Sequence, residues 1–200
     1  MTRLPARWLT LYARSRQVPA SFAALAIGAA AMRGLGGDGG QGAGDPRVPV
    51  LVLATGVMAA SIGLSGQDLA LDRTAAIRWV PRRAAHVLLA GAVVAAVLLA
   101  VQGVGSGRGT SMADAGFVVR DSAGLTGLAA LGTALSGGRY AWTLPFGWLS
   151  FSFFAPAGTS TAMRVANWML LPAGTAAGTW TALFLLGVGT AAYALAGPRR

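Results

Sequence analysis

Gly63-Leu64-Ser65-Gly66 sets a serine between glycines in an apolar stretch. Such a hydroxyl becomes a nucleophile only when a histidine base lies within hydrogen-bond reach. The one histidine, His86, comes 21 positions later, at the head of the next apolar run. In a chain with 29 glycines this tetrapeptide arises readily, so Ser65 reads as a helix-packing residue and His86 as an interfacial one. An intramembrane serine hydrolase using Ser65 is the enzymatic alternative.

Arg120 and Asp121 form the second chemically loaded position, because they interrupt the run Ala115 to Leu131, which otherwise reads as membrane helix. Ionisable groups at membrane depth need partners. Neighbouring residues on a helix point about 100° apart, so the two are expected to pair with another helix or with water in an outer vestibule, not with each other. In the other reading the helix starts at Ser122 and both charges are solvated.

Other chemistries are excluded by residue type. All 16 basic residues are Arg, so the chain lacks the lysine of a GxxxxGK[ST] phosphate loop and any Schiff-base amine. With no Cys there is no thiolate ligand, thiol nucleophile or disulfide. No His cluster suits a metal, and no carboxylate pair falls in a span core. The chain is therefore expected not to be an enzyme by itself and to hold no cofactor.

The elements that must position these residues follow from composition. Apolar residues make up 54% of the chain, charged residues 11%, and mean hydropathy is +0.59, which places it among polytopic membrane proteins. The expected fold is all-α: one transmembrane domain over 1–200, with six spans at about 18–34, 48–67, 84–104, 117–136, 140–156 and 178–197. Residues 2–17 carry Arg3, Arg7, Arg14 and Arg16 beside Leu4, Trp8, Leu11 and Tyr12 at helical spacing, the pattern of an amphipathic helix on an anionic leaflet. A basic start before the apolar run Ala23 to Ala31 also fits a signal peptide, but the first helix of a multi-span protein ordinarily stays as an uncleaved anchor. The stretch Ala157 to Ala177 is too broken to cross and apolar enough to dip, so it is expected to be re-entrant between spans five and six. Small residues at four-residue spacing, Ala24 with Gly28, Gly56 with Ala60 and Gly187 with Ala191, permit close helix contacts.

Charge placement orients the model. Arg3, Arg7, Arg14, Arg16, Arg73, Arg78, Arg82, Arg83, Arg139, Arg199 and Arg200 fall on the side of the N-terminus, eleven against the five of Arg33, Arg47, Arg108, Arg120 and Arg164. The majority side is cytoplasmic, which puts both termini inside a bacterial cytoplasmic membrane. The excess of basic residues thus reads as a topology signal and a contact with membrane lipids, not as nucleic-acid binding. Trp8, Trp79, Trp142 and Trp168 fall near the expected interfaces as anchors.

Between spans two and three lies a charge-dense insert, Asp68 to Arg83. Asp72 can cap a short helix, Asp68 and Asp72 suit its positive end, Arg78 suits its negative end, and Pro81 is expected to stop it. A charged loop that only fixes topology is the plainer reading.

The arrangement resembles the small membrane permeases of actinobacterial ABC exporters of the ABC-2 kind. The resemblance covers essentially the whole chain and is carried by topology together with Leu71-Asp72-Arg73-Thr74-Ala75, Pro81-Arg82-Arg83-Ala84-Ala85-His86, Arg120-Asp121-Ser122-Ala123-Gly124-Leu125-Thr126-Gly127-Leu128 and Ala192-Tyr193-Ala194-Leu195-Ala196-Gly197-Pro198-Arg199-Arg200. It implies that residues 72–80 form a coupling helix seated in a separate ATPase subunit, which binds the ATP and Mg, with Asp68, Asp72, Arg73, Thr74, Ile77 and Arg78 at the contact. It also implies pairing with a second permease chain, identical or not, and movement of an apolar or amphipathic substrate by alternating access. Where the family pattern would have Arg-Asn this chain has Arg120-Asp121, so no role is carried over to that pair. The alternative class is a non-transporting membrane scaffold or immunity protein.

Overall fold

The computed structural model describes residues 45–64, 79–104, 113–156 and 158–197. Among them every regular element is helical: α1 Arg47–Ser61, α2 Trp79–Val104, α3 Ala115–Ser136, α4 Thr143–Phe154, α5 Thr161–Ala166 and α6 Ala176–Ala196. Short 3-10 turns at Ile62–Leu64, Gly138–Tyr140 and Trp168–Leu170 extend or join them. The segments Arg47–Leu64, Trp79–Gly103 and Ala176–Ala196 are long and apolar enough to cross a membrane. The chain is accordingly read as a membrane protein.

Each helix starts and stops for a local reason. The Asp45 carboxylate accepts from the Arg47 amide at 2.9 Å at the head of α1, and the Asp114 carboxylate accepts from the Gly116 amide at 2.8 Å at the head of α3. Gly137 (φ 88°) ends α3 and Gly197 (φ 70°) ends α6, both in backbone conformations that a side chain would strain. Thr55, Thr126, Thr133 and Thr181 each donate to a carbonyl one turn back in their own helix, so their hydroxyls need no other partner.

Two expected boundaries move. α2 starts at Trp79, five residues before the expected span, and Pro81 lies in its first turn. A proline there lacks only an amide that has no intrahelical acceptor, and its fixed φ suits the helix. Pro81 therefore opens α2 instead of closing the insert, and Trp79 and Val80 belong to α2. The expected fifth span, 140–156, is a helix of 12 residues. At 1.5 Å per residue it reaches about 18 Å, against a hydrocarbon core of about 30 Å. Pro156 explains the stop, because it holds Ala155 extended (φ −68°, ψ 135°).

α3 lies at the centre, packed against α6, α2, α1 and α4. It is 22 residues long but is not among the apolar spans, since it carries Arg120, Asp121, four glycines and four hydroxyl residues. Those glycines let the backbones touch: a Cβ on Gly189 would overlap the Gly127 carbonyl, and one on Gly127 would overlap the Leu185 carbonyl. The expected pair Gly187 and Ala191 faces outward, with nothing within 4 Å of a Cβ on Gly187. At the other end of α6 the buried Tyr193 hydroxyl donates to the Leu64 carbonyl at 2.9 Å, tying α6 to the tail of α1.

Candidate functional site

The Asp114 cap fixes the start of α3 at Ala115, so Arg120 and Asp121 enter the packed interior and the helix does not begin at Ser122. Arg120 is 8% exposed and Asp121 fully buried. They also pair with each other: Arg120 Nε donates to Asp121 Oδ1 at 2.8 Å. The expectation that adjacent residues cannot pair fails because the 100° offset separates Cβ directions only, and the arginine side chain is long enough to fold back across it.

The rest of the guanidinium reaches an irregular segment 51 and 52 residues later. Nη2 donates to the Leu171 carbonyl and Nη1 to the Pro172 carbonyl, both at 2.8 Å. These carbonyls lie between the 3-10 turn Trp168–Leu170 and α6, where no helix supplies a donor for Leu171. One planar cation thus satisfies three acceptors on two elements, as its fork of donors allows and a lysine ammonium would not in the same geometry. The Phe117 ring lies 5.0 Å from the guanidinium carbon. Gly178 makes room on the other side, since a Cβ there would stand 2.9 Å from Nη1.

Side chains of α4 complete the fastening. Trp148 Nε1 donates to the Ala166 carbonyl at 2.8 Å and Ser152 Oγ to the same oxygen at 3.0 Å. Asn167 Nδ2 donates to the Pro156 carbonyl at 3.3 Å. Trp168 is fully buried, its ring crossing α3 at Gly124, where a Cβ would overlap the ring edge. This corrects its expected place as an interfacial anchor: the glycine opens a slot in α3 that the indole fills.

The arrangement holds backbone and binds charge; it carries no nucleophile and base. Among the described residues no three His, Cys, Asp or Glu side chains could hold a metal ion. The coupling candidates Asp68, Asp72, Arg73, Thr74, Ile77 and Arg78 lie outside the described residues, as do Ser65, the 2–17 segment and the first expected span. His86 stands in the second turn of α2, half-buried. Residue reading missed the Leu171 and Pro172 carbonyls, Gly124 and Gly178. The Trp168-Met169-Leu170-Leu171-Pro172 run was the available hint, an apolar stretch too short to cross.

No protein-family model, curated protein or solved structure matches this chain.

Proposed function

We propose that this chain is the membrane-spanning permease subunit of an ATP-driven exporter of the ABC-2 kind. What carries the reading is the fastening of residues 161–172 to α3 by Arg120, directly after a helix of half the crossing length. Irregular backbone at membrane depth is tolerated where protein covers it, and broken helices of this sort border pathways in transporters. In this reading residues 157–177 form the re-entrant segment on the outer side. The insert after Leu64 meets a separate ATPase through Asp68, Asp72, Arg73, Thr74, Ile77 and Arg78. That ATPase binds ATP and Mg, a second permease chain completes the pathway, and the cargo is apolar or amphipathic. Both termini face the cytoplasm.

The test is copurification of the ATPase encoded beside this chain. Arg73→Glu combined with Arg78→Glu should abolish it while leaving membrane insertion intact. Retained binding would remove the coupling assignment.

A further inference from the structure

An open groove of about 340 Å³ runs along α2 between α3 and α6, lined almost wholly by carbon. Its floor on α2 includes Val87, Gly91 and Ala95, and its walls include Ala123 of α3 and Leu186 of α6. Residues four apart on a helix stand one above another. Arg83 therefore heads the same row, one turn before Val87, with Arg82 exposed beside it. The Arg83 guanidinium lies against the C-terminal end of α6, where a Cβ on Gly197 would be 2.7 Å from Nη1. The apolar groove thus opens at one end beside two adjacent cations.

Dimensions decide what such a groove takes. From Val87 to Leu99 it runs about 18 Å, close to the roughly 15 Å depth of one leaflet's hydrocarbon. Spread over that length, 340 Å³ gives a cross-section of about 19 Å², the width of a single methylene chain. A helix about 10 Å across would present roughly 80 Å². We propose that the groove seats one acyl chain of an anionic phospholipid whose phosphate is held by Arg82 and Arg83. The lipid would be a resident of the α2–α3–α6 seam, recognised by charge at one end and by shape along its length.

The experiment uses the full chain in vesicles of equal phosphatidylglycerol and phosphatidylcholine, extracted into mild detergent, with retained lipids counted by native mass spectrometry. The wild type should keep one phosphatidylglycerol in preference to phosphatidylcholine. Arg82→Gln should weaken that retention about fivefold, the worth of one basic residue at an anionic surface. Ala96→Phe, at an exposed lining position, should abolish it with helix content and monodispersity unchanged. Equal retention of both lipids, or retention undiminished in Ala96→Phe, would overturn the proposal. So would disulfide-linked dimers of Ala92→Cys in the membrane, which would give the groove to a second copy. None of these outcomes depends on an ATPase partner.

Discussion

Arg120 and Pro172 stand 52 residues apart in sequence and 2.8 Å apart in space, and the contact joins a guanidinium to a backbone oxygen. The same oxygen accepts from Thr175 Oγ1 at 2.7 Å, so it also begins the turn into α6. The joint between the irregular segment and the last helix is therefore organised by a side chain of α3.

Arg120→Leu leaves the buried Asp121 carboxylate without its cation and the Leu171 carbonyl without a donor. A loss of about 3–5 kcal/mol is expected, read as a lower unfolding midpoint of the purified chain. Arg120→Lys should recover little, because an ammonium does not reproduce the fork.

Arg120→Leu with Asp121→Leu should be less damaging than the two single losses added, since no unpaired charge remains buried. A double-mutant cycle measures this. Strict additivity would show that the pair is not a unit.

Gly189→Ala places a methyl into the Gly127 backbone and should destabilise by more than about 2 kcal/mol, forcing α3 and α6 apart. Gly187→Ala, two residues earlier and open, should be neutral or slightly stabilising. Thermal unfolding of the two variants side by side makes the comparison.

Gly124→Ala collides with the Trp168 ring, and combining it with Trp168→Leu should restore part of what the alanine loses. Protection of residues 161–172 from proteolysis is the readout. If the double variant is cleaved faster than Gly124→Ala alone, the slot is not what seats the indole.

Uninterrupted apolar runs were legible: α2 and α6 lie within a few residues of their expected bounds, because nothing in them competes with the helix. Pro81 was misread because a proline marks either end of a helix, and the side is settled by which neighbours continue it. The Arg120 partners were beyond reach for another reason. Backbone carbonyls belong to every residue, so a side chain that binds them leaves no mark at Leu171 or Pro172. The α3–α6 crossing was hidden by abundance, since small residues at the right spacing occur on several faces and only packing selects Gly127 and Gly189.

The bond from the Tyr193 hydroxyl to the Leu64 carbonyl makes α6 a connecting rod. One end is pinned to the last described residue before the charged insert, and the other begins at the Pro172 oxygen held by Arg120. A load entering at Leu64 passes along about 30 Å of helix and arrives at the irregular segment on the opposite side.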